Sequence, residues 1–399
     1  MFFSASVMLK WDLSSMIFYI ILGLIAVVCL HNSQKKYSSS NKWFFKDKYL
    51  SWWFFIWVII AVFRLVDSPI GGMDASNYIK YFQICRNNYM PEYFEHFAGD
   101  ILFKYFNQAI RLITSDYHVY FIAVYGLMCY VFIEFCRFFC PQNVCFAPFV
   151  LVFFLYLRGF STIRSHLSIV IILIACILLA KEKNKVALFV ALCAALVHKA
   201  ALLYAMCIPF CMFFLKRKIT VKAVVILFAV SIFASTMLQQ YFILFTADMD
   251  LSGAYSSYAS RSLETSFLDN AWKIAFEQMF LGLFILIYHT KLKAYTNTLS
   301  ITWQRRINIV YLICIFDLLL IPVNYMLSIW RGYEYFYLPR LILWGILLHI
   351  ILKNYSTKYQ PILSFTFLSC FVAWMIFRVW STWESSGLIP YIFEPFRYL

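Results

Sequence analysis

The sequence predicts an all-α, polytopic integral membrane protein, and three observations carry that prediction. Of its 399 residues 63% are hydrophobic and only 13% charged, where a soluble domain carries about 25% charged residues. The apolar residues gather into runs of the length a helix needs in a bilayer. Lys and Arg concentrate in alternate connections between those runs, which is the pattern that orients membrane helices. Together these exclude a soluble enzyme, a disordered tail and a nucleic-acid binder, despite the net charge of +15.

The apolar runs between charged clusters give about twelve transmembrane helices, at 16-31, 50-66, 117-136, 145-158, 165-180, 186-197, 200-215, 219-237, 270-289, 307-328, 335-352 and 360-380. Residues 1-399 thus read as a single polytopic membrane domain. The sixth and seventh runs are short and meet at His198 and Lys199. They form either a tight hairpin of half-length helices or one long broken element. No small-residue cleavage site follows the first apolar run, so no removable signal peptide is expected.

Charge orients the set. The connections 32-49, 137-144, 181-185, 216-218, 290-306 and 353-359 hold 18 Lys and Arg against two acids, Asp47 and Glu182. The opposite segments, including both termini, hold ten Lys and Arg against fourteen acids. The positive-inside rule makes the first face cytoplasmic and leaves both termini outside. Two outer segments are long, 67-116 and 238-269, and long loops on one face of a compact domain usually carry function. Within the first, Ile101, Leu102, Phe103, Phe106, Ile110, Leu112 and Ile113 alternate with Lys104, Gln108 and Arg111. That amphipathic pattern predicts a helix lying at the outer interface.

Twelve cysteines make no disulfide framework here, because all but Cys85 lie in or at the edges of the spans. Cys136 and Cys140, or Cys207 and Cys211, have helical spacing. No His joins either pair at ligand spacing, so neither a metal nor another cofactor is expected.

The polar residues near the outer face are costly enough to need partners. Arg158 and Arg164 bracket the turn Arg158-Gly159-Phe160-Ser161-Thr162-Ile163-Arg164, which Ser165 and His166 follow. A cation in the first turn of a helix opposes the helix dipole, and a nearby anion explains it better. Alone, such an arginine reads first as one snorkelling to the headgroups. With Lys199, Arg261 and Arg331 on the same face, it reads as part of a site for an anionic ligand. Arginine suits phosphate because its planar fork gives bidentate, charge-assisted bonds. With only 11 Gly and no Walker-type loop, a nucleotide site is not expected. His198 either caps a carbonyl at its junction or takes a proton from a sugar hydroxyl. Asp74 follows Gly71-Gly72-Met73. It either caps the helix that Ala75 begins or serves as a carboxylate base, with Tyr78 and Tyr81 as interface aromatics or sugar-stacking platforms. Asp317 lies mid-span, seven residues from Asn324 on one helical face. It is expected to be half of a structural pair rather than a proton relay.

The order of these features is similar to a known family. Arg64 ends a span, and Asp74 and Tyr78 follow in an outer segment. The run Phe160-Ser161-Thr162-Ile163-Arg164-Ser165-His166-Leu167 opens another span. About 34 residues after Arg164 comes Ala194-Ala195-Leu196-Val197-His198-Lys199-Ala200-Ala201-Leu202. Arg331 then precedes Tyr333, Tyr335, Phe336, Leu338 and Pro339, and Pro390-Tyr391 lies near the end. Across most of its length the chain resembles the EpsG family of Wzy-like polysaccharide polymerases, which implies a GT-C-like membrane fold. The family motif has Arg-Gln before an Ala where this chain has Arg164-Ser165-His166.

The resemblance implies a glycosyltransferase that polymerises oligosaccharide repeat units on the outer side of the plasma membrane, for O-antigen, capsule or exopolysaccharide. The donor is the growing chain on undecaprenyl diphosphate, and the acceptor is one lipid-linked unit, so the partners are that oligosaccharide, membrane lipid and a chain-length regulator. Asp74, Arg164, His198 and Arg331 correspond to family features. Arg158, Arg164, Lys199 and Arg331 are expected to bind the departing diphosphate. Asp74 and His198 compete as the base, and Tyr78 and Tyr81 are expected to hold sugar. Arginines do a metal's work in this scheme, so it is metal-independent. A ligase for finished chains would use the same arginine chemistry. A flippase of the lipid-linked unit would line a central cavity with cations and show internal symmetry, of which the two halves give no sign. An O-acyltransferase would want a His beside a cytoplasmic acyl donor, and the cytoplasmic connections contain none.

Overall fold

The computed structural model describes residues 5–36, 44–67, 70–85, 100–217, 219–248, 271–326 and 331–396. Among them all regular elements are helical, and the extended pairings are two isolated bridges, Arg64 with Phe393 and Asp67 with Ile70. In chain order the helices are α1 (Ala5–Lys36), α2 (Lys48–Val62), α3 (Ala75–Ile84), α4 (Ile101–Ile113) and α5 (Tyr117–Phe139). There follow α6 (Val152–Ser161), α7 (Ile163–Ala180), α8 (Asn184–Val197), α9 (Ala201–Ala205) and α10 (Cys207–Phe214). The last are α11 (Val221–Asp248), α12 (Ala271–Asn297), α13 (Ile301–Met326), α14 (Tyr337–Leu352) and α15 (Gln360–Ser386).

The helices fall where the apolar runs do, but their lengths differ from a uniform set of spans. By length and composition, five helices among the described residues can cross a membrane: Leu13–Lys35, Tyr117–Phe139, Ile163–Ala180, Ile301–Tyr325 and Gln360–Ser381. The segments Lys48–Val62, Ala147–Ser161, Asn184–Val197, Ala201–Phe214, Val221–Met237 and Tyr337–Leu352 are apolar but shorter. The expected amphipathic helix is present as α4. It buries Phe103 and Asn107 and exposes Ile101, Tyr105, Leu112 and Ile113. Of the outer segment 238-269, the first part continues α11 to Asp248. The rest, with Arg261, lies outside the described residues.

The chain divides into two compact units, Met1–Ala205 with Trp344–Leu399, and Met206–Leu343. In the first unit, aromatic side chains do the packing that helices in lipid must obtain from van der Waals contact. Trp53 and Trp57 of α2 are fully buried, and the Trp57 ring stacks on Tyr156 of α6 at 5.1 Å and meets Phe153 at 4.8 Å. Trp57 donates from its ring nitrogen to the Leu22 carbonyl of α1, and the Tyr156 hydroxyl reaches the Trp57 and Tyr125 carbonyls. Helices α7 and α8 form a hairpin, and α9 packs back on both. The chain therefore turns at His198–Ala200 rather than continuing as one broken helix.

The C-terminal segment of this unit straps its earlier parts together. Gly387 accepts from the Gly72 amide at 3.0 Å, the Leu65 amide donates to Ile392, and the Glu394 amide donates to Phe63. Tyr19 donates to the Leu388 carbonyl, and the Tyr391 hydroxyl to Ile60. The Glu394 carboxylate receives the Tyr117 hydroxyl and lies 3.0 Å from His118, whose other ring nitrogen meets Asp116. In the second unit α13 packs against α10, α11 and α12. There Asp317 pairs with Arg340 at 3.4 Å and accepts from Gln278 at 2.6 Å, all three buried. The structural pair expected for Asp317 is thus present.

Candidate functional site

The head of α7 is set by a single break in the backbone. Helix α6 runs to Ser161, Thr162 leaves helical geometry at φ −137° and ψ 50°, and α7 begins at Ile163. What reads in the sequence as an open turn from Arg158 to Arg164 is therefore two helices joined at one residue. The reason is local hydrogen bonding: the Thr162 hydroxyl lies 2.9 Å from the Arg158 carbonyl and 2.8 Å from His166 Nδ1. Such side-chain bonds to the preceding turn compete with helix continuation. His166 is fully buried, and its Nε2 sits 3.0 Å from the Leu155 carbonyl. It closes the kink from the α7 side.

Against this kink lies the turn before Asp74. Gly71 and Gly72 have φ of +79° and +115°, a region that L side chains rarely enter. A Cβ on Gly72 would stand 2.5 Å from the Phe160 carbonyl oxygen, so only glycine allows the contact. Arg64 pins both sides. It donates through Nε to Gly71 at 2.7 Å, through Nη1 to Ala61, and through Nη2 to the Tyr125 hydroxyl at 2.7 Å. The rings of Phe121, Tyr125 and Phe160 stand 4.6, 4.7 and 4.3 Å from its guanidinium carbon. Cation–π contact of this kind contributes about 2 kcal/mol or more when desolvated. The Asp74 turn and the opening of α7, 90 residues apart, are in this way one construction.

Arg164 sits in the first turn of α7, and the anion beside it is Asp100. Its Nη1 donates to Asp100 Oδ2 at 2.6 Å. The Asp100 carboxylate also accepts the backbone N–H of Lys199. Burial pushes the Asp100 carboxyl above the usual carboxylate range, and the Arg164 guanidinium and the Lys199 amide pull it part of the way back. His198 ends α8 in extended geometry, φ −153° and ψ 114°. Its amide bonds Ala194, and its carbonyl accepts from Ala201 at the start of α9. Its side chain is half-buried, whereas Lys199 is exposed.

The structure thus brings Arg164 and the His198–Lys199 turn to one carboxylate, and the Asp74 turn against the opening of α7. Asp74 occupies the N-cap position of α3, but its side chain makes no capping hydrogen bond. Arg158 is buried in the last turn of α6. Tyr78 and Tyr81 are buried too. Both rings pack on Phe103 of α4, edge-on at 5.9 Å and stacked at 5.7 Å. Arg331 belongs to the second unit. It is exposed and precedes the 3-10 turn Gly332–Glu334, whose Tyr333 carbonyl accepts from Arg340. Among the described residues no three His, Cys, Asp or Glu side chains gather as metal ligands.

Asp100 is the member of this site that sequence reading missed. Its position just before α4 marks it only as a helix cap. Nothing local says that its carboxylate turns instead to a cation 64 residues later.

A family model described as the EpsG family matches residues 49–393. The match takes in Arg64, Asp74, Asp100, Arg164, His198 and Arg331. No curated protein matches the chain, and no solved structure does.

Proposed function

Because the chain belongs to the EpsG family, the family of Wzy-like exopolysaccharide polymerases, we propose that it joins undecaprenyl-diphosphate-linked oligosaccharide repeat units at the outer face of the bacterial plasma membrane. The growing chain is the donor and a single lipid-linked unit the acceptor. An acceptor hydroxyl attacks the anomeric carbon of the donor, and the bond from that carbon to the diphosphate oxygen breaks. The diphosphate departs with the bonding electrons, and the hydroxyl proton passes to a base, Asp74 or His198. Arg164, with Lys199 beside it, stabilises the charge that develops on the leaving diphosphate. Arg331 is given the same role on the family resemblance and Arg158 on its charge, and the scheme needs no metal. The helices are read as a GT-C-like set of about twelve crossings with both termini outside.

The observation that carries the reading is the family match from α2 to the C-terminal strap. Supporting it, the arginine and the histidine turn of the family motif meet at one carboxylate. The test is a gel of surface polysaccharide from a strain lacking this chain, complemented with wild type, Arg164→Ala or His198→Ala. Wild type is expected to restore a long ladder. Each variant is expected to leave a single-repeat band while the protein still reaches the membrane. Normal chain length in either variant refutes that residue's role. Loss of every band in the deletion strain, the single repeat included, points to a flippase or a ligase instead.

A further inference from the structure

Asp100 stands where a carboxylate ordinarily caps a helix, directly before Ile101 of α4, yet its side chain makes no capping bond there. Its carboxylate is buried. It faces two elements that are far apart in the chain, accepting Arg164 Nη1 at 2.6 Å from α7 and the Lys199 amide from the turn after α8. Helix α4 packs on α8, α3 and α5, so the carboxylate is carried on an element held from three sides. Nothing in the proposed transfer chemistry calls for an acid here. A carboxylate touching the diphosphate-binding arginine is on the leaving-group side, where its charge would repel the substrate rather than deprotonate the acceptor.

We propose that Asp100 is a positioning residue: it fixes the Arg164 guanidinium against the His198–Lys199 turn, so that cation and turn meet the lipid-linked diphosphate in one set geometry. This rests on the functional reading given above. A misplacement of about 1 Å at such a contact costs roughly a hundredfold in rate, so a flexible arginine at the head of α7 would serve poorly without this anchor. The anchor depends on charge. Among the described residues the titratable groups around Asp100 are Arg164, Lys199 and Tyr81 of α3. Behind Tyr81 stand Cys85, which faces Lys104 of α4, and Tyr120 of α5. Burial raises the pH at which Asp100 gives up its proton. Activity should therefore fall on acidification at a higher pH than an ordinary carboxylate would set.

The test uses membranes isolated from cells that make the native lipid-linked units, carrying wild type, D100N or D100E at matched protein levels. Chain extension is followed across pH. D100N, which keeps the shape and removes the charge, is expected to slow extension roughly tenfold to a hundredfold and to shift the acid-side fall. D100E is expected to recover part of the rate. In parallel, phenylglyoxal labelling of Arg164 is read by peptide mass spectrometry, with inorganic pyrophosphate as protectant. Arg164 is expected to label several-fold faster in D100N than in wild type. If D100N does not accumulate, D100E carries the test, with a shifted pH profile and faster labelling expected. Wild-type rate, pH profile and labelling in the variant overturn the inference. Failure of pyrophosphate to protect Arg164 in wild type overturns the diphosphate reading instead, and leaves the Asp100 contact standing.

Discussion

A full positive charge at Arg64 is 1% exposed, and among the described residues no carboxylate pairs with it. A buried ion without such compensation is expensive, and three hydrogen bonds and three aromatic faces replace the missing anion. What the arginine holds is the Gly71–Gly72 turn, so the turn is the place to test the construction. Gly72→Ala puts a Cβ into a positive φ and against the Phe160 carbonyl. A loss of about 1–3 kcal/mol is expected from strain and overpacking, read as a lower unfolding temperature in detergent. Unchanged stability would mean that the contact yields freely. Arg64 is legible in the sequence as a charge at the end of a span. Its box is not, because Tyr125 and Phe160 come from other helices, and Asp100 is hidden for the same reason.

At the scale of elements, the apolar runs marked the helices well because composition alone decides where a chain can be helical in lipid. The kink at Thr162 and the turn at His198–Ala200 were less legible. The kink depends on a side-chain bond and the turn on helix α9 folding back, neither of which periodicity records. Asp317 shows the intermediate case: its cost in a span demanded a partner, and Arg340 from α14 supplies it. Removing one member of a buried pair costs about 3–5 kcal/mol, whereas replacing both with apolar residues is often neutral. Asp317→Leu and Arg340→Met are each expected to lower the unfolding temperature in detergent, and the double variant to regain most of the loss. Additive losses would show that the pair is not the source of the stability. Arg340 also donates to Tyr333, so the single variants are expected to loosen the turn that follows Arg331.

The whole molecule is a helical membrane protein, and its cations are divided unevenly among the connections between its helices. Six connections hold 18 Lys and Arg against two acids, and Arg164, Lys199 and Arg331 belong to the smaller set of cations outside them. The proposed purpose, joining lipid-linked units by displacing a diphosphate, makes a statement about what accumulates when the site fails. The most direct measurement is lipid extraction and mass spectrometry of cells carrying Arg164→Ala in place of wild type, with the leaflet of the lipid-linked sugar determined by a membrane-impermeant lectin or oxidant. Single repeat units on undecaprenyl diphosphate, exposed on the outer leaflet and never longer than one unit, are the predicted result. Units confined to the cytoplasmic leaflet, or long chains stranded on the lipid, would contradict the account.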